Sequence, residues 1–238
     1  MTSPVPPVEP VPPFPPREPP PGPWALSLDG AEVGADLVAL GADLATGTLL
    51  AAYRTGLFPM GVGDDGAPPI GWWSPDPRGV LLPGDLRVSR SLRRAARRFT
   101  TTRDAAFADV VAACGDPSRD GRWITEKVAE AYLRLHRLGW AHSVEVWDDD
   151  GVLVGGLYGV ATGGLFAGES MFHRATDASK VALLALVEHV FDGDDRRIID
   201  VQWATDHLLS LGVREVPRSE YLVRLRRALE APDVDFTA

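Results

Sequence analysis

From Trp24 onward the chain alternates between helical and strand spacing of its apolar residues. Leu49, Leu50 and Tyr53 fall on one side of a short helix predicted over Thr48–Thr55, which Gly56 ends. A second helix is predicted over Leu86–Phe99. A third spans Thr125–Leu138, with Val128, Tyr132 and Leu135 as its apolar stripe. Ser143–Trp147 alternates as a strand and Asp148–Gly151 turns it; Val152–Gly159 and Leu165–Phe172 continue as an antiparallel meander. A cap at Asp177 opens a helix through Val190, with Val181, Leu184, Leu186 and Val187 expected inward. A strand over Arg197–Trp203, a short helix over Thr205–Leu211 and an amphipathic helix over Ser219–Leu229 follow. Strict βαβ alternation is lacking, so the class is α+β.

Two segments interrupt this pattern. Residues 1–23 hold 12 of the 21 prolines and predict a disordered or polyproline-II tail. Its PxxP spacings, such as Pro4 to Pro7, arise by chance at this density. The aromatic stretch Gly71–Arg78 carries Pro75 and Pro77, which argue against a central strand. A domain boundary is placed there, giving a tail (1–23), a small N-terminal domain (24–78) and a larger domain (79–238).

Composition adds exclusions. A hydrophobic share of 45% with 24% charged residues is that of a globular protein, and no apolar run approaches membrane-span length. One cysteine, Cys114, excludes an internal disulfide framework, so a cytoplasmic location is expected. The formal net charge of −9 speaks as a total against nucleic acid. Its placement changes that. Seven of the 24 basic residues, all Arg, lie between Arg87 and Arg103 with no acid among them. Arg90, Arg93, Arg94, Arg97 and Arg98 recur at spacings that share one helical face.

Candidate chemistry is sparse. The five histidines form no i, i+3 or i+4 pair, so no protein-built metal site is expected. Gly155–Gly164 lacks a phosphate-loop motif and reads as strand glycines permitting close approach. Ser170 fails the GxSxG elbow, because Phe172 stands at its last position. Glu169 is a lone acid among apolar neighbours, so it needs a partner or awaits a cationic group. Asp200 and Gln202, two apart on a strand, would share one face.

Read together, Trp123-Ile124-Thr125, Gly139–Trp147, Leu153–Gly159, Phe166–Phe172, Ala178-Ser179-Lys180, Ile199–Gln202 and His207–Gly212 closely resemble the leucyl/phenylalanyl-tRNA–protein transferase family. Gly56–Pro59 and Trp72–Arg78 also fit, so the resemblance runs from about Leu37 to about Leu225. It implies transfer of Leu or Phe from Leu-tRNA or Phe-tRNA to proteins with N-terminal Arg or Lys. The product would be an N-degron, the degradation signal of the N-end rule. It also implies an acetyltransferase-like (GNAT-like) larger domain with a mainly antiparallel sheet and no metal or ATP cofactor. A monomer without a membrane partner is expected, a point that the residues themselves do not fix.

By the same resemblance Asp200 and Gln202 would be the catalytic pair. Gln202 would bond the attacking amine and Asp200 would orient or polarise it. Glu169 would face the adenosine end or the cationic acceptor side chain. Leu157, Phe166, Met171 and Leu186 would line the donor side-chain pocket. Trp73, Trp123 and Tyr132 would stack on or flank the terminal adenosine, and the arginine face would grip the tRNA backbone. Val201 stands where the family usually has Cys and is expected to point away from the pair; Met60 and Leu157 also depart from the family pattern. Alternative readings are an acyl-CoA-dependent N-acetyltransferase and a non-catalytic tRNA-binding adaptor.

Overall fold

The computed structural model describes residues 11–119 and 121–237. Among these, β1 (Leu37–Leu40), α1 (Thr46–Thr55), β2 (Phe58–Gly61) and β3 (Ile70–Trp73) come first. They form a three-stranded antiparallel sheet in the order β1-β3-β2. Gly56 ends α1 in the left-handed region at φ 91° and returns its N–H to the last turn, as the glycine predicts.

Next come β4 (Arg78–Leu81), α2 (Arg90–Ala96), β5 (Thr100–Arg103), α3 (Phe107–Cys114), α4 (Glu126–Arg137), β6 (Ala141–Trp147) and β7 (Leu153–Thr162). The chain ends with β8 (Leu165–His173), α5 (Ala178–Val190), β9 (Ile198–Gln202), α6 (Asp206–Ser210), β10 (Arg214–Val216) and α7 (Arg218–Leu229). The large sheet runs β10-β4-β9-β8-β7-β6-β5. All its pairs are antiparallel except β8 with β9. The α+β class and the mainly antiparallel large sheet are as the sequence implies.

Both faces of that sheet are covered, and side-chain alternation decides which core each residue joins. Tyr158 and Val160 of β7 join α1, α3, α4 and α7 on one face, whereas Leu157 and Ala161 join α2 and α5 on the other. Thr125 caps α4 by accepting from the Val128 N–H. The strand glycines behave as expected: a Cβ on Gly155 would meet the Cβ of Ala178 at 2.5 Å, so glycine lets α5 seat directly on β7.

Several expectations are corrected. β3 is the central strand of the small sheet, because Pro75 and Pro77 fall in the connection beyond it. The helix predicted over Leu86–Phe99 forms only over Arg90–Ala96, opened by a Ser89 cap, and β5 follows at once. Asp177 is left-handed (φ 67°) and makes no side-chain cap; its carboxylate pairs with Lys180 instead. On α5, Leu183 is buried, whereas Leu184 and Val187, both expected inward, are only partly buried.

The expected solvated tail also differs over its described half. The Arg17 N–H donates to Leu138 O and the Trp140 indole to Arg17 O, while Glu18 pairs with Arg54. These anchors hold residues 11–23 against the body, because each gives a polar group of the segment a fixed partner. The PxxP spacings of Pro4 to Pro10 lie outside the described residues.

Candidate functional site

The parallel pairing of β8 with β9 spans only Leu165↔Ile198 to Ala167↔Asp200. Where it stops, a cavity of about 430 Å³ opens between the strands. Gly168–Met171 of β8 line one side and Val201 and Gln202 of β9 the other. Leu183 and Leu186 of α5 form the floor, and Phe58, Met60 and Trp203 close the side toward the small sheet. The walls are overwhelmingly apolar: Glu169 is the one carboxylate and Gln202 the one carboxamide, with no Lys or Arg.

The sequence-derived pocket residues Leu157, Phe166, Met171 and Leu186 all line this cavity, as do Glu169, Gln202 and Trp123. Two expected adenosine contacts do not. Tyr132 is fully buried beneath Glu169 and donates to its Oε2 at 2.6 Å. That hydrogen commits the Tyr132 hydroxyl, so at the 2.6 Å Tyr53–Tyr132 contact it is Tyr53 that donates. Trp73 sits behind the wall, edge-on to Trp203 with ring centroids 5.9 Å apart, and its indole donates to Met60 O. The Tyr132 ring is closed to a base, and the partly buried Trp73 lies outside the cavity lining.

Asp200 does not reach the cavity either. Its carboxylate receives Arg78 Nε at 2.8 Å and Nη2 at 2.6 Å, the Tyr221 hydroxyl at 2.8 Å and the Gln202 backbone N–H at 3.0 Å. Burial works to lower the Arg78 pKa, but the Asp200 charge outweighs it and holds the guanidinium firmly protonated. The expectation that Asp200 and Gln202 share a face fails because the β9–β4 ladder shifts register here: Gln202 faces Gly79 while Asp200 faces Val80. Gln202 also takes a left-handed backbone, φ 60°. The bulge turns Gln202 into the cavity and brings Val201 there as well, against the expectation that Val201 points away. Gln202 Nε2 is buried with no partner among the described residues.

Glu169 has an unusual environment. Its Oε1 is buried without a hydrogen-bond partner among the described residues. Desolvation pushes its pKa up to about 7, although the Tyr132 and Tyr53 hydroxyls pull it down.

Sequence reasoning missed Phe58, Met60, Leu183, Trp203 and His207 as cavity residues. Leu183 was within reach, since it lies three residues before Leu186 on one helical face. Phe58 and Met60 share β2 while Trp203 and His207 follow β9, and no local spacing links those two parts of the chain.

The five arginines Arg90, Arg93, Arg94, Arg97 and Arg98 are all exposed, and none forms an ion pair among the described residues. Leu92 and Ala95, on the opposite side of α2, are buried against α5. Arg90, Arg93 and Arg94 lie on α2 and Arg97 and Arg98 just beyond its end, and among the described residues this charged surface has no acidic partner.

Comparison with known proteins decides the family. The model of the leucyl/phenylalanyl-tRNA protein transferase family matches residues 80–226, and that of its N-terminal domain matches residues 42–76. The chain belongs to the leucyl/phenylalanyl-tRNA–protein transferase family. It is 54% identical over 197 residues to a protein of that name from Aromatoleum aromaticum, covering 79% of each chain. A namesake from Shigella dysenteriae is 52% identical over 188 residues, covering 78% of each. The chain is thus an aminoacyltransferase. A GCN5-related N-acetyltransferase from Kribbella flavida aligns with a TM-score of 0.36 at 13% identity, over 70% of this chain and 59% of that one.

Proposed function

We propose that the chain transfers Leu or Phe from aminoacyl-tRNA to the N-terminal Arg or Lys of acceptor proteins, forming a peptide bond and an N-degron. The observation that carries this reading is the cavity where β8 and β9 part: an apolar space for a Leu or Phe side chain, bordered by one carboxamide and one carboxylate. The donor ester is already activated, so no metal or ATP is required. The enzyme has to hold an amine against the ester carbonyl and stabilise the tetrahedral oxyanion.

In this reading Leu157, Phe166, Met171 and Leu186 hold the donor side chain. Gln202 meets the reacting groups, with its unpartnered Nε2–H free to donate to the carbonyl oxygen. Asp200 acts at one remove, by fixing the Gln202 backbone. Glu169 faces the cationic acceptor, and Trp123 flanks the terminal adenosine. The arginine face of α2 holds the tRNA backbone. No helix among the described residues is long and apolar enough to cross a membrane. The reading places the enzyme in the reducing cytoplasm, where the single buried cysteine stays a free thiol.

The test supplies labelled Leu-tRNA or Phe-tRNA with peptides beginning Arg, Lys or Ala. Transfer confined to the Arg and Lys peptides supports the reading, and folded protein that modifies none of them refutes it.

A further inference from the structure

A carboxylate that serves a reaction through its neighbour has to be held still, and Asp200 is held from three directions. Arg78 lies along one edge, with Nε on Oδ1 and Nη2 on Oδ2. Each oxygen then takes one further donor. Oδ1 accepts the Gln202 backbone N–H at 3.0 Å, and Oδ2 accepts the Tyr221 hydroxyl at 2.8 Å. Burial and the Asp200 charge push the Tyr221 phenol well above its usual range, so it stays a donor throughout the neutral range.

Nothing in the packing requires that hydroxyl. Tyr221 is 1% exposed, and its ring lies under the Arg78 guanidinium, 4.5 Å from the centroid. Its edge lies 3.2 Å from where a Cβ on Gly56 would stand. A phenylalanine ring would fill the same space, and Arg78 already balances the Asp200 charge. What the hydroxyl adds is a second fixed point on Oδ2. It stops the carboxylate from sliding along the guanidinium and letting go of the Gln202 N–H. Gln202 sits at φ 60°, a backbone that persists only where its surroundings over-determine it. Tyr221 is itself well anchored. Arg218, one turn earlier on α7, gives its N–H to Asp76 Oδ1 and its buried guanidinium to the carbonyls of Glu32, Ala35 and Ser74. The hydroxyl therefore reaches Asp200 from a fixed frame.

We infer that Tyr221 is a positioning residue of the transfer reaction, its hydroxyl acting through Asp200 to aim Gln202. The assignment rests on the transferase reading above and deepens it. It gives α7, which lines no part of the cavity, a role in the chemistry. Substrate binding is left to the cavity wall, so loss of the hydroxyl weakens the transition state and spares the bound substrates.

The test measures kcat and acceptor KM for transfer from Leu-tRNA to an Arg-initiated peptide, and the Leu-tRNA Kd. The enzymes compared are the wild type, Tyr221→Phe, Gln202→Ala and the double variant. Tyr221→Phe should lower kcat by ~10–100-fold, the usual cost of losing a group that orients a functional side chain. The acceptor KM and the Leu-tRNA Kd should stay within about twofold, as when an interaction made only in the transition state is lost. In the Gln202→Ala background the same change should cost less than about twofold, because the group that it aims is gone. A Tyr221→Phe enzyme that keeps the wild-type kcat overturns the assignment. So does an equal loss in both backgrounds, which would put the effect of the hydroxyl outside the Asp200–Gln202 line. A variant that no longer binds Leu-tRNA makes Tyr221 a folding residue and overturns it too. A wild type that transfers to no peptide refutes the transferase reading itself, and the assignment falls with it.

Discussion

The Asp200 carboxylate accepts from both Nε and Nη2 of Arg78, at 2.8 and 2.6 Å, and both side chains are 1% exposed. This pair bridges β9 to β4, and from it the Asp200 Oδ1 holds the backbone N–H of Gln202. The residue that looked like one half of a reacting pair is thus the fixed point from which the other half is aimed. Removing one partner leaves an uncompensated buried charge. Arg78→Ala and Asp200→Ala should each lower stability by ~3–5 kcal/mol in urea unfolding. A loss below about 1 kcal/mol would show that the pair does not anchor the site.

Gln202 sits at φ 60°, a strained position for a residue with a Cβ. Its side chain is expected to act on the reaction rather than on binding. Gln202→Ala should keep Leu-tRNA affinity and lose ~10²–10³-fold in transfer rate, the usual cost of one oxyanion donor. Gln202→Gly should lose the same rate while being the more stable of the two. A normal rate in either variant removes Gln202 from the mechanism.

How far the sequence reached depended on range. The helices over 46–55 and 126–137 and the strands β6 to β9 were legible because their periodicity is local. The apolar wall of the cavity was legible through family motifs that keep Leu157, Phe166 and Met171 on adjoining strands. The fate of Asp200 was not, because its partners Arg78 and Tyr221 lie 122 and 21 residues away and the bulge in β9 leaves no mark on residue type. Likewise Tyr132 reads as an exposed stacking ring or as core with equal ease, until Glu169 is found above it.

Met171 lines the cavity and is only half-buried, so it can be shortened without emptying the core. Met171→Ala should reduce kcat/KM for Leu-tRNA by ~10–200-fold, in line with the loss of a few methylene contacts in an apolar pocket. An unchanged kcat/KM would place the donor side chain elsewhere.

The arginine face of α2 predicts a salt-dependent grip. The double variant Arg93→Glu with Arg97→Glu should weaken tRNA binding and flatten the slope of log Kobs against log salt by about 1.5 to 2. An unaltered slope would assign these arginines to solvent.

Glu169 also makes stability depend on pH. Its pKa rises from 4.5 to about 7 on folding, so between those values the folded state binds more protons than the unfolded one. Stability therefore falls as pH rises through this window, the reverse of an ordinary paired carboxylate. Glu169→Gln removes the penalty, so its Tm should gain on the wild type as pH goes from 5 to 8. A Tm difference that is flat with pH would mean that Glu169 is not desolvated.

The central claim is that the cavity between β8 and β9 delivers an aminoacyl group to a basic N-terminus. Its most direct test is mass spectrometry of an Arg-initiated and an Ala-initiated peptide after incubation with the chain and Leu-tRNA. The account predicts a gain of one leucyl residue at the α-amine of the Arg peptide alone. An unmodified Arg peptide, or equal modification of both peptides, would contradict it.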